Sequence, residues 1–302
     1  MESRSTLSEI KWALRRPPDT LPVVDPIRRF GRPSLRRPRA VLAFEGWNDA
    51  CDAASGALRH LLERRDIQRP FAIIESEDFF DFQEHRPSVT VRDGSVHSMT
   101  WPETRFYAIE RPDQDHDLVI VVGDEPTLRW KTFARTVAAV LADTGVESVT
   151  MLGAYIGSVT HSGPVPLSGV VTDPSFLEAT ALPPIDYEGP TGIVAVLGEA
   201  CKEAGIPATS IWAATPHYLA ANPNPKAMRA LLAKAGEIVG FDGDSQELRD
   251  METDFILQVD EAVAESDDLA EYVREVAEDG RQMDPERTGE LVDEIERFLK
   301  DV

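Results

Sequence analysis

Two cysteines, Cys51 and Cys201, are all the thiol chemistry in a chain of 302 residues. A pair of thiols makes neither a metal cluster nor a disulfide framework, and the alanine-rich surroundings of both suit buried, reduced side chains. Long apolar runs are missing too: none approaches the roughly 20 residues that cross a bilayer. The opening Met1-Glu2-Ser3-Arg4-Ser5-Thr6-Leu7-Ser8 carries no apolar stretch of the signal-peptide kind, so the expected location is the cytoplasm. Positive charge is scarce, with 31 lysines and arginines against 53 aspartates and glutamates and a net charge of -22. A surface of that sign repels nucleic acid and anionic membranes, and neither is expected as a partner. Catalytic signatures are absent as well. There is no Gly-x-Gly-x-x-Gly after a strand, no phosphate loop ending in Gly-Lys-Ser/Thr, no His-Glu-x-x-His and no Gly-x-Ser-x-Gly. The six histidines, His60, His85, His97, His116, His161 and His217, lack metal-ligand spacing, and His97 and His116 read as surface positions. No metal and no cofactor is expected.

What is present is a repeated order of buried strand, loop and helix. Val41 to Phe44 reads as a strand, followed by the polar turn Glu45-Gly46-Trp47-Asn48-Asp49 and an alanine-rich helix from Ala50 to Leu62. Phe71 to Ile74, Leu118 to Gly123, Val149 to Ala154 and Thr209 to Ala214 are further buried strands. Helices are expected at Trp130 to Thr144, Ile193 to Ala204 and, after Asn224-Pro225, through Ile238. Glu75 to Arg86 reads as a loop or short helix, and the alternation around Asp93-Gly94 as a hairpin or meander spanning Ser88 to Ile109. The pattern implies a mostly parallel sheet covered on both faces.

Charge divides the chain further. Residues 1 to 40 form a basic, proline-containing arm, with a short helix expected at Thr6 to Leu14. Residues 41 to 240 carry the α/β pattern, and residues 241 to 302 are an acidic helical extension. The arm is expected to be a poorly ordered lead-in or to pair with the acidic tail. In the extension Ser245 to Ala264, Asp267 to Glu278 and a third segment from Asp284-Pro285 have apolar residues at helical spacing, and their acids read as a solvated face.

A parallel sheet gathers its strand-end loops at one edge, where such folds place ligands. Candidates for a ligand site or an interface are therefore Glu45, Trp47, Asn48, Asp49, Asp124, Tyr155, His161, Ser162, His217 and Tyr218. Carboxylates, two histidines and backbone donors at one edge suit a nucleoside-like or peptide-like ligand or acid-base chemistry. The same residues also suit plain structural work, with Asn48 and Asp49 capping one helix and Asp124 the next. Both readings stay open.

These residues carry a resemblance. Phe44-Glu45-Gly46-Trp47-Asn48-Asp49-Ala50, Asp81-Phe82-Gln83 with Arg86-Pro87, Leu152-Gly153-Ala154 and His161 with Pro164-Val165-Pro166 form the first part of the match. Tyr187-Glu188-Gly189-Pro190-Thr191-Gly192-Ile193, Ile211 to Tyr218 and Asn222-Pro223-Asn224-Pro225-Lys226 complete it. In this order, across roughly residues 40 to 235, the chain resembles the PAC2 (proteasome assembly chaperone 2-like) family in its actinobacterial branch. The resemblance implies a three-layer α/β/α sandwich with a mostly parallel or mixed sheet, similar to purine nucleoside phosphorylases and peptidyl hydrolases, plus an acidic C-terminal helical extension. It also implies self-association, a trimer ahead of a dimer, and a protein client. Some members are labelled ATP-grasp enzymes, and no feature of this chain requires that label. Chaperone relatives that dock on a proteasome ring can use a hydrophobic-Tyr-any tail, whereas this chain ends Leu299-Lys300-Asp301-Val302, so docking by that route is not expected. The family often has a basic residue after the histidine where this chain has Thr160-His161-Ser162-Gly163-Pro164. The function expected is a non-enzymatic assembly or scaffolding protein. The alternative is a phosphorylase- or hydrolase-like enzyme using the strand-end loops.

Overall fold

The computed structural model describes residues 25–219 and 223–279. The helix expected at Thr6 to Leu14 and the one expected from Asp284 lie outside these residues. In chain order the strands are β1 (Ile27–Arg29), β2 (Arg39–Glu45), β3 (Ala72–Ile74), β4 (Ser88–Arg92), β5 (Ser95–Thr100), β6 (Thr104–Ile109), β7 (Leu118–Asp124), β8 (Ser148–Gly157), β9 (Leu167–Val171) and β10 (Ala208–Pro216). The α-helices are α1 (Ala53–Arg64), α2 (Trp130–Asp143), α3 (Leu177–Thr180), α4 (Ile193–Glu203), α5 (Pro225–Val239), α6 (Gln246–Glu265) and α7 (Asp267–Asp279). Glu75 to Arg86 forms turns rather than a helix.

Eight strands make one sheet in the order β1-β3-β6-β7-β2-β8-β10-β9, and β4 pairs only with β5. The middle is parallel, β7 with β2, β2 with β8 and β8 with β10. Both flanks are antiparallel. The sheet is therefore mixed, for a reason of chain length. Only Glu110 to Asp117 joins β6 to β7, too few residues for a crossover, so the chain doubles back. On the other flank β9 pairs antiparallel with β10 although α3 and α4 lie between them in the chain.

β2 shows how the layers form. Its residues from Ala40 to Phe44 are all buried. Ala40, Leu42 and Phe44 enter the core that α2 and α4 cover, while Val41 and Ala43 enter the one that α1 and α5 cover. A strand buried on both faces has no use for alternation, which is why it reads as a continuous apolar run. Helix boundaries follow local chemistry. The Asn224 side chain accepts from Ala227 N–H at 3.0 Å, and Pro225 opens α5. Ser245 accepts from Leu248 N–H at 3.1 Å to start α6. α1 begins at Ala53 rather than Ala50, because Cys51 (φ 57°) and Asp52 (φ 48°) are left-handed and break the helix after one 3-10 turn.

A third core lies at the strand ends. Phe255 and Val259 of α6 and Leu269, Tyr272 and Val276 of α7 pack on Cys51, Tyr218 and Leu219. The acidic helices thus have one apolar stripe, and it is used against the sheet domain. No described helix is long and apolar enough to cross a membrane.

Candidate functional site

The parallel strands β2, β7, β8 and β10 bring their carboxyl ends to one edge. Glu45, Trp47, Asn48 and Asp49 follow β2, Asp124 closes β7, Tyr155 lies near the end of β8, and His217 and Tyr218 follow β10. Their polar groups are largely engaged in holding that edge together. The Asn48 side-chain oxygen accepts from Val194 N–H at 3.3 Å, and its backbone carbonyl accepts from Ala154 N–H at 2.8 Å. Glu125 accepts from Ile193 N–H at 2.7 Å with one oxygen and from Trp47 N–H at 3.3 Å with the other. The free N–H groups that open α4, where an anion would bind, therefore already face a carboxylate and an amide. Two glycines make the closure fit. Gly46 (φ 115°) passes so close to Glu125 that a side chain would collide with its Cβ, and the Asn48 amide fills the space a Gly192 Cβ would need.

Asp49 is the helix cap that the sequence suggested, but Asn48 serves a different helix. The Asp49 carboxylate accepts from Ala54 N–H at 2.6 Å and Ser55 N–H at 3.1 Å, at the start of α1. Its second oxygen, Oδ2, is buried without a hydrogen-bond partner. Burial pushes its pKa up to about 6; the bonds from Ser55 and Ala54 oppose that rise, and the Asp52 charge adds to it. Asp124 is no helix cap. Its carboxylate accepts from Glu103 N–H at 3.1 Å and lies 3.2 Å from His85 Nε2.

His161 is buried at the centre of a chain of hydrogen bonds that runs from buried Tyr218 to the exposed carboxylate of Asp260. Its backbone N–H donates to the Tyr218 hydroxyl at 2.9 Å, and that hydroxyl lies 2.7 Å from Nδ1. Nε2 lies 2.9 Å from Asp260 Oδ1 on α6. One tautomer satisfies all three bonds: Tyr218 O–H donates to Nδ1, and Nε2–H donates to Asp260. Both ring nitrogens are then engaged. Burial raises the Tyr218 phenol far above its usual value, so it stays a neutral donor. Lys226 donates to the carbonyls of His161 and Gly163 at 2.7 and 2.6 Å and fixes the same loop. Ser162 is exposed, 3.4 Å from the Thr160 hydroxyl. His217 is half-buried; burial lowers its pKa and a bond with the Gly157 backbone offsets part of the drop. The Tyr155 carbonyl accepts from the Thr215 hydroxyl at 3.1 Å while its ring faces solvent.

A groove of about 670 Å³ opens beside the ends of β2 and β7. Its walls carry the ion pairs of Glu45 with Arg59 and of Glu103 with Arg105 at 2.7 Å, the contact of Asp124 with His85, and the further charged side chains Glu63, Asp66 and Arg86. Half-exposed ion pairs of this kind contribute about 0–1 kcal/mol each. The described residues contain no group of three or more His, Cys, Asp or Glu side chains that could hold a metal. Both thiols are buried and unreactive by environment, Cys51 pushed up to about 11 and Cys201 to about 12 by burial.

Sequence reasoning missed Asp260 and Arg59, since each lies mid-helix among other charges with no spacing to single it out, and Lys226, quoted only as part of the resemblance, was not among the site candidates. It also placed His116 on the surface. That residue is buried, its Nε2 2.7 Å from Arg111, and burial and the Arg111 charge lower its pKa.

Fold and edge together define an α/β/α sandwich of mixed sheet whose strand ends are tied shut by its own side chains. The PAC2 family model matches residues 43–263, and the chain belongs to the PAC2 family. Among solved structures, a PAC2 family protein from Streptomyces avermitilis is 43% identical, with 78% of this chain and 99% of that one covered and a TM-score of 0.72. A proteasome-assembly chaperone homologue from Mycobacterium tuberculosis is 38% identical over 78% of this chain and 99% of that one, TM-score 0.71. PbaB of Pyrococcus furiosus, an archaeal proteasome activator, shares the fold at 23% identity, covering 78% and 98%, TM-score 0.60. No curated protein matches the chain.

Proposed function

We propose that this chain is a non-enzymatic, homo-oligomeric assembly or scaffolding protein of the cytoplasm, trimer ahead of dimer, that engages a protein client through its strand-end edge. On this reading residues 1–40 are a basic arm, 41–240 the PAC2-like domain of an actinobacterial branch, and 241–302 an acidic extension. One observation carries the proposal. The edge uses its polar groups internally yet leaves large apolar side chains in solvent: Trp47 is 63% exposed and Tyr187 66%, with Leu128 and Tyr155 also exposed. Aromatic side chains held out on a rigid, internally satisfied frame are what a protein interface uses as anchors. The similarity to a proteasome-assembly chaperone homologue supports a protein client. His161 is buried with both ring nitrogens bonded to Tyr218 and Asp260, which gives a substrate little access to that ring.

The test is affinity capture from the source cells at moderate salt, comparing wild type with Trp47→Ala/Tyr155→Ala. A second protein enriched by the wild type and lost in the double variant is expected, with unfolding free energies within about 0.5 kcal/mol of each other. Recovery of the chain alone by the wild type would sink the client reading.

A further inference from the structure

β4 and β5 form a two-stranded hairpin that stands outside the eight-stranded sheet. Every residue of both strands is exposed. Val89 lies opposite Met99 and Val91 opposite Val96, and an irregularity between Thr90 and Val91 passes over His97. The bulge keeps all four apolar side chains on one face, with Ser88, Thr90, Ser98 and Thr100 on the other. Val89, Val91, Val96 and Met99 are each more than half exposed. At the base, Trp101 packs edge-on against Phe82 with ring centroids 4.9 Å apart, which ties the hairpin to the body.

A lone two-stranded hairpin with a bare apolar face is marginal in water and needs cover. The four side chains present roughly 400 Å² of surface, at the scale where an exposed apolar patch marks an interaction site. That is about half of the roughly 800 Å² per partner of a standard interface, enough for its dry centre. Charge selects the occupant. The whole chain carries -22, yet residues 88–100 contain one arginine, one aspartate and one histidine. Copies of this chain repel one another across an acidic surface, and the hairpin is a neutral place to meet. Arg92 and Asp93 at its tip also form a self-complementary pair, each able to face the opposite charge of another copy.

We propose that the Val89/Val91/Val96/Met99 face packs against the same face of a second copy of this chain, at the symmetry axis of the assembly. The proposal rests on the homo-oligomer reading above and gives that reading a location. The experiment is light scattering and sedimentation velocity on the full chain at micromolar concentration, with wild type and a variant in which all four residues become threonine. Threonine keeps the strand preference and removes the apolar face. The wild type is expected to be a multimer whose mass holds or rises with added salt. The variant is expected to be a monomer with unchanged near-UV circular dichroism, its dissociation constant raised about 100-fold or more. A second variant, Val96→Cys, places one accessible thiol on the face while Cys51 and Cys201 stay buried. A short bis-maleimide should link it to a covalent dimer. A monomeric wild type overturns both this proposal and the homo-oligomer reading. A wild-type multimer with no cross-link at residue 96, or a folded threonine variant of unchanged mass, overturns the hairpin alone. A monomeric wild type that captures another protein through the hairpin gives the face to a client and overturns self-association there.

Discussion

Replacing Asp49 by asparagine isolates a cost that the strand-end turn imposes on the fold. The carboxylate is buried with one oxygen serving two N–H donors of α1 and the other serving none. Two backbone donors at a helix start favour the anion, and desolvation opposes it. Burial wins, because the pKa rises from 3.8 to about 6. A raised carboxyl pKa means the folded state holds its proton more tightly than the unfolded chain. The associated stability is fully present below pH 3.8 and is lost as pH rises through about 6. The rise to about 6 corresponds to about 3 kcal/mol, of which about half is lost above pH 5. That upper half is the measurable part, since the isoelectric point is near 4.6. Asparagine keeps an oxygen for Ala54 and Ser55 and has no charge to bury. Urea unfolding of wild type and Asp49→Asn from pH 5 to 8 should show the variant gaining about 1–2 kcal/mol on the wild type as pH rises. Taking the difference cancels the other acids of this chain. Parallel stability profiles across that range would refute the argument.

Two further perturbations test the same edge. Glu125→Ala removes the acceptor for Ile193 and Trp47 N–H together, and should cost about 1–2 kcal/mol in urea unfolding and speed amide exchange at the first turn of α4. Unchanged exchange there would show that α4 is capped otherwise. Tyr218→Phe leaves the His161 N–H and Nδ1 without their buried partner, and should cost about 1–3 kcal/mol and loosen α6. Proteolysis reads the second effect, and cleavage in α6 no faster than in wild type would contradict the coupling through His161 and Asp260.

Much of the fold was legible because its strands are buried on both faces. Leu118 to Gly123 can be little else than a central strand, and Asn224-Pro225 announces a helix by its own cap chemistry. The direction of the flanking strands was not legible, since periodicity reports burial and not polarity. The Asn48 cap was assigned to the wrong helix for a related reason: a side-chain amide bonds whichever N–H groups lie within reach, and the one it reaches, that of Val194 in the first turn of α4, is 146 residues away in sequence.

By itself the sequence determined which residues are apolar, where helices stop, which turns need glycine, and the family these choices mark. Those depend on each residue's own volume, charge and backbone freedom. Only the tertiary structure decided which strand-end polar groups bind one another, that Asp260 completes the bonds of His161, and that the hairpin stands apart from the eight-stranded sheet. Each of these depends on distances between residues far apart in the chain, and a hydrogen bond exists only where folding brings donor and acceptor to about 3 Å.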